Sequence, residues 1–182
     1  MADPNYDDGI FAYVDCETTG RFKPHVPFEV CMWREDEPEP VVLTTPHTLD
    51  SAEPDALRIN RYFERGFLPG VHDEYADVWI ARALTDVTLV AANARFDADM
   101  VAKIVGYEPW HYRLLDIEAY ALGVIGVRMG WRRPRGMKDI TLALRDMGFE
   151  IPEPDHTAEA DVRALRAAHE ALLVIATKEG AR

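Results

Sequence analysis

From Ile10 to Glu17 ("IFAYVDCE") the chain is a run of β-branched, aromatic and small apolar residues, which predicts a strand, and Gly20 follows as a turn former. Two more such runs, Phe28 to Trp33 and Val41 to Thr44, flank the acidic, proline-bearing "REDEPEP", a suitable hairpin connection. Three strands in succession predict an antiparallel start. The pattern then turns helical, with Tyr75, Val78, Trp79 and Leu84 at roughly three- to four-residue steps. Val87 to Ala92 predicts a fourth strand running into a helix from about Phe96 to Val105. A short strand near Tyr112 to Leu115 leads to helical segments at Ile117 to Gly123 and Lys138 to Met147. Pro152 and Pro154 then precede a long helix, Thr157 to Thr177.

Strands first and alternating helices and strands afterwards predict an α/β architecture: a mixed five-stranded sheet flanked by helices. Residues 1–9 are expected to be a flexible N-terminal tail and 10–178 a single domain. A length of 182 residues suits one core that buries about 70% of the unfolded surface.

A composition of 48% hydrophobic and 29% charged residues excludes a disordered or fibrous protein. The opening "MADPNYDDG" carries acids where a secretory leader has cations, and the longest run without a polar residue, Ala121 to Val127, is too short to span a membrane. A cytoplasmic protein without membrane attachment is expected. Cys16 and Cys31 have neither metal-ligand spacing nor the density of a disulfide scaffold, and read as buried thiols of a reducing compartment.

A net charge of -12 argues against a nucleic-acid partner, unless part of the acid holds divalent cations and so inverts the local sign. The basic residues are also unevenly spread. No Asp or Glu occurs from Ala119 to Lys138, and "RMGWRRPRGMK" gathers Arg128, Arg132, Arg133, Arg135 and Lys138 around Trp131. Such a loop can grip a phosphate backbone while its tryptophan stacks on a base.

Hydrolysis of a phosphodiester can use two divalent cations about 4 Å apart, and hard cations require several carboxylates from distant parts of the chain. Asp-x-Glu spacing occurs twice, at Asp15/Glu17 and at Asp116/Glu118. Asp15 and Glu17 end the most strand-like segment, where side chains two apart share a face; Glu118 falls where the chain turns helical and they do not. Asp97 lies on the inward side of its helix with Phe96, Met100, Val101, Ile104 and Val105, whereas Asp99 points with Lys103 to water. Asp161 heads a stripe with Leu165, Ala168 and Leu172, an expensive place for a carboxylate unless it is paired, hydrogen-bonded or bound to metal.

Histidine is the side chain whose ordinary pKa suits a general base near neutrality. His72, His111 and His156 each precede an Asp by five residues, so that spacing does not discriminate. His156 is singled out by its loop, directly ahead of the helix that carries Asp161. His25, His47 and His169 read as structural or solvated.

With these residues assembled, the sequence resembles the DnaQ-like (DEDDh) 3′–5′ exonucleases: "VDCETTG", "ANARFD" and "HTAEAD" match the three family motifs in order. "LLDIEAYALG" and "LALRDMGFEIP" look like the segments between the second and third. The resemblance implies an RNase H-like fold and two divalent cations, Mg²⁺ or Mn²⁺. By it, Asp15, Glu17 and Asp161 hold the nucleophile-side ion, Asp15 bridges to the second, and Asp97 supports that one through water. His156 deprotonates the attacking water. Thr18 and Thr19 hold the terminal nucleotide, Phe96 packs near it, and Asn93 matches a family asparagine of orienting role. After Gly20, where the family usually has a wedging Leu or Met, this chain has Arg21 and Phe22. Phe22 is then the candidate for stacking and Arg21 for phosphate. Ala92 stands where the family commonly has His.

The activity implied is 3′–5′ exonuclease action on the 3′ end of a single strand, releasing nucleoside monophosphates, with DNA favoured over RNA. An exoribonuclease or oligoribonuclease would use identical residues, and a non-catalytic nucleic-acid-binding module accessory to a polymerase is the reading from outside catalysis. A proofreading role would need a separate DNA polymerase as partner.

Overall fold

A computed structural model describes residues 9–21 and 24–180, so the expectations for the tail and for Phe22 lie outside the described residues, Gly9 excepted. The first three strands are β1 (Ile10–Thr18), β2 (Pro27–Arg34) and β3 (Val41–Thr44). They pair antiparallel, with Glu17 opposite Glu29 and Cys31 opposite Val42. β4 (Val87–Ala91) joins β1 in parallel, and β5 (Leu115–Asp116) joins β4, so the sheet order is β3-β2-β1-β4-β5. This is the mixed five-stranded sheet with an antiparallel start that the pattern predicts.

Helices cover both faces. α2 (Ala76–Ala83) and α3 (Ala94–Val105) pack on one, sealing Ala12, Val14, Cys16, Ile80, Leu89 and Val101. α4 (Ile117–Met129), α5 (Met137–Asp146) and α6 (Ala158–Gly180) cover the other, around Tyr13, Cys31, Ile117, Leu144, Leu165 and Leu172. Alternation along β1 therefore sends Ala12, Val14 and Cys16 to α3, and turns Tyr13, Asp15 and Glu17 toward α6. That alternation decides where the two acids face.

Four segments differ from the sequence expectation. α1 (Pro54–Ile59) was not foreseen; it is six residues long and buries nothing, so it leaves no apolar stripe. β5 occupies Leu115–Asp116 rather than Tyr112 to Leu115, because only those two residues pair with β4, and Tyr112 is exposed. α4 continues past Gly123 to Met129, where Gly130 ends it in the left-handed conformation that glycine adopts without strain. On α2 the buried residues are Ala76 and Ile80, joined by Leu84, whereas Tyr75, Val78 and Trp79 form an exposed outer stripe.

Both cysteines are buried and free. His169 is also buried, its Nδ1 3.0 Å from the Tyr13 hydroxyl, with burial holding its pKa below the usual value. Among the described residues no helix is long and apolar enough to cross a membrane.

Candidate active site

The acids selected from the sequence meet where β1 ends. Asp15, Glu17 and Asp161 offer carboxylate oxygens that all lie within 4.8 Å of one another, the first two from β1 and the third from the first turn of α6. The stripe headed by Asp161 accounts for this, since Leu165, Ala168 and Leu172 are buried against the sheet and leave Asp161 over its end. Asp97 comes from the opposite face of the sheet. Buried in the first turn of α3, it accepts a hydrogen bond from the Cys16 backbone N–H at 3.1 Å, which fixes it between Asp15 and Glu17 along the chain. Asp99 is exposed and paired with Arg95.

Burial, with repulsion from neighbouring acids behind it, raises the pKa of all four acids. Burial pushes Asp15 well up, and the charges of Asp97, Glu17 and Asp161 add to it. Glu17 is pushed up to about 8, first by burial, then by Asp161 and Glu29, with Arg65 opposing. Burial also raises Asp97, against the Cys16 hydrogen bond, and Asp161, against His156 and the backbone of Asp155. Such a cluster is destabilised by self-repulsion unless cations enter it, and its donors are the hard oxygens that Mg²⁺ or Mn²⁺ take. The residues therefore fit a divalent metal centre.

His156 is exposed, with φ 61°, in the loop just before α6. Asp155, its neighbour, donates its backbone N–H to Asp161 Oδ1 at 3.0 Å and accepts from the Thr157 amide and hydroxyl at 3.1 and 2.7 Å. The loop that carries the histidine is thereby attached to a member of the carboxylate cluster.

The remaining candidates are more scattered. Thr18 and Thr19 stand beside the cluster, but their hydroxyls are spent internally: Thr18 Oγ1 donates to the Gly20 carbonyl, and Thr19 Oγ1 donates to that of Val26. Gly20 admits the flat ring of His25, onto which a Cβ would intrude at 2.6 Å. Arg21 is exposed. Asn93 takes the left-handed conformation at the start of α3, a place that asparagine tolerates, and its side chain is open to solvent. Phe96 is half-buried against the α2/α3 side of the core.

Arg128 lies in the last turn of α4, and the basic stretch after it runs back along that helix. A Cβ on Gly136, just before α5, would lie 3.7 Å from Glu118 Oε1 in the first turn of α4. Asp116, the cap of α4, accepts from Ala94 N–H at the start of α3, the helix of Asp97. Arg135 and Lys138 thus stand at the same end of the sheet as the carboxylates, with Arg132 and Arg133 exposed on the way there. Trp131 is half-buried against the α4/α5/α6 side of the core.

Sequence reasoning missed Glu29. It is buried on β2 opposite Glu17, where one carboxylate oxygen accepts from Arg65 and the other from Ala158 N–H at 3.2 Å. A lone acid inside the apolar run "PFEVCMW" was the signal available.

No protein-family model matches the chain, and no curated protein matches it in sequence. Solved structures match it in fold. The chain is similar to exonuclease I (TM-score 0.70, 21% identity, 93% of this chain and 42% of that one). It is likewise similar to the zinc-ion-bound form of an E. coli ExoI–ssDNA complex (0.65, 21%, 94% and 41%) and to E. coli exonuclease I with a dA16 oligonucleotide (0.59, 20%, 93% and 42%). What is shared is an RNase H-like fold. The chain spans about two fifths of the length of these structures.

Proposed function

We propose that this chain is a metal-dependent 3′–5′ exonuclease of the DnaQ-like DEDDh type that releases nucleoside monophosphates from the 3′ end of single-stranded DNA. The observation that carries this reading is the convergence of Asp15, Glu17 and Asp161 within 4.8 Å beside buried Asp97, with the His156 loop tied to Asp161. The shared fold supports it, and the choice of DNA rests on the likeness to structures named for single-stranded DNA and a dA16 oligonucleotide. A cytoplasmic setting fits the two free thiols.

Asp15, Glu17, Asp97 and Asp161 are the residues that would hold two divalent cations, Mg²⁺ or Mn²⁺, whose chemistry is to activate water and stabilise the leaving oxygen. His156, on its exposed loop, takes the proton of the attacking water at a ring nitrogen. Asp97 keeps its register through the Cys16 N–H. Asn93 and Arg21, both exposed, are the side chains assigned to orient the terminal nucleotide.

End-labelled single-stranded DNA and RNA digested with Mg²⁺, Mn²⁺ or EDTA test the proposal together. Loss of nucleotides from the 3′ end of DNA, stopped by EDTA, is expected. Cleavage from the 5′ end, or activity in EDTA, refutes the mechanism, and a preference for RNA refutes the substrate.

The basic stretch is assigned to the phosphate backbone of the incoming strand. Substituting Arg132→Ala and Arg133→Ala together should raise KM and leave kcat unchanged. It should also lower the log–log salt slope of binding by about 1.4, at about 0.7 per single-strand phosphate contact. An unchanged salt slope excludes these two arginines from binding.

A further inference from the structure

Between α1 and α2 the chain makes a helical turn in which Arg65 N–H donates to the Arg61 carbonyl at 2.9 Å. The turn brings both guanidinium groups toward the start of α6. Both reach the short stretch that brackets His156. Arg61 Nη2 donates to Asp155 Oδ2 at 3.2 Å and to the Asp155 carbonyl at 3.4 Å. Arg65 donates to Glu29 Oε1, and Glu29 Oε2 accepts from Ala158 N–H. One pin therefore holds the residue before His156, and the other holds the first residue of α6, two positions after it.

We propose that Arg61 and Arg65, the latter acting through Glu29, are positioning residues that clamp His156 over the carboxylate cluster. The inference rests on the reading of His156 as the proton acceptor.

Glu29 invites a different role, that of a fifth metal ligand, because it is buried opposite Glu17. Its two oxygens are already taken, one by a guanidinium and one by an amide at the positive end of α6. A buried carboxylate with both oxygens satisfied this way ties elements together. Here it joins β2, the Arg61–Arg65 turn and α6. The backbone adds a second observation. Arg61 has φ 50° and His156 φ 61°, a region where a non-glycine residue persists only when its surroundings over-determine it. The surroundings at His156 are these contacts together with the Thr157 hydroxyl. Those groups, Thr157 foremost, hold the Asp155 carboxyl below its usual range. The same segment makes a third tie, where Asn60 Nδ2 donates to the carbonyl of Thr18, the residue after Glu17, at 3.2 Å.

The test is a double-mutant cycle on the full chain between Arg61→Ala and His156→Ala, combined with amide hydrogen exchange at Thr157 and Ala158 in Arg61→Ala, Arg65→Met and Arg65→Lys. Arg61→Ala removes an exposed side chain and should leave the fold intact. Misplacing a catalytic group by about an ångström costs up to about 10²-fold, so kcat should fall by between about 10- and 10²-fold, with KM changing less. In the His156→Ala background the same substitution should cost almost nothing, because residues that act through one group are non-additive. Exchange should rise at Thr157 in Arg61→Ala and at Ala158 in Arg65→Met, with Arg65→Lys restoring part of the protection. A full additional loss in the His156→Ala background, or unchanged exchange, overturns the clamp. Wild-type turnover in His156→Ala alone overturns the proton-acceptor reading instead, and exchange then decides the clamp by itself.

Discussion

Replacing Asp15 by asparagine is expected to abolish nuclease turnover and, at pH 8, to make the metal-free protein more stable. Both effects follow from one charge. Asp15 feels the charges of Asp97, Glu17 and Asp161, and it belongs to the three-carboxylate group that fits a cation. Losing a ligand there removes metal-ion stabilisation worth several kcal/mol, which is on the order of 10³-fold or more in rate. Without metal the same carboxylate works against the fold, because burial and its acidic neighbours hold its pKa well above the ordinary value.

The sign of the pH effect can be worked through with Glu17. Its pKa rises from 4.5 in the unfolded chain to about 8 in the fold, so the folded state binds the proton more tightly. That contribution is complete below pH 4.5 and is lost as pH climbs through about 8. The metal-free protein should therefore lose stability over this window, and Mg²⁺ or Mn²⁺ should restore it most at the alkaline end. Asp15→Asn removes one member of the repelling set, so the metal-free variant should be more stable than the parent at pH 8. Thermal melts with EDTA and with Mn²⁺ at pH 5 and pH 8, beside turnover on labelled DNA, measure all of this. Wild-type turnover would remove Asp15 from the metal site. A metal-free variant less stable than the parent at pH 8 would mean that Asp15 is structural.

The parts of this site that could be read from the chain are those whose cause is local. Asp15 and Glu17 were visible because β1 is an unbroken apolar run, and period two then assigns both acids one face. Asp161 was visible because Leu165, Ala168 and Leu172 mark an apolar stripe, at whose head a carboxylate is costly unless it has a partner. What escaped depends on partners that no periodicity carries. Glu29 gains its meaning from Arg65, 36 residues away, and from Ala158 N–H, 129 residues away. α2 misled for another reason: both of its faces bear apolar residues, so spacing selected Tyr75, Val78 and Trp79, which are left in solvent, together with Leu84, which is buried. The partners of the threonine hydroxyls carry no sequence signal either. Thr18 and Thr19 do stand beside the cluster, but their hydroxyls serve the turn at Gly20 and Val26.

Changing His156 to alanine should cost roughly 10²–10⁴-fold in kcat, the range for a positioned general base, while the affinity for Mn²⁺ stays near that of the parent. The contrast with Asp161 gives this prediction its content. Asp161 belongs to the group of oxygens within 4.8 Å and spends Oδ1 on the Asp155 N–H, so its removal should weaken metal binding and turnover together. His156 is outside that group and lies on an exposed loop, with nothing of the core resting on it. Truncation should therefore leave the melting temperature and the calorimetric Mn²⁺ isotherm almost unchanged and act on the chemical step. Added imidazole, small enough to enter an open site, should return part of the lost rate to His156→Ala and none to Asp161→Ala. If His156→Ala instead loses Mn²⁺ affinity as Asp161→Ala does, His156 is a ligand and the base must be sought elsewhere. Full turnover without it would leave the four carboxylates as a metal centre that needs no histidine.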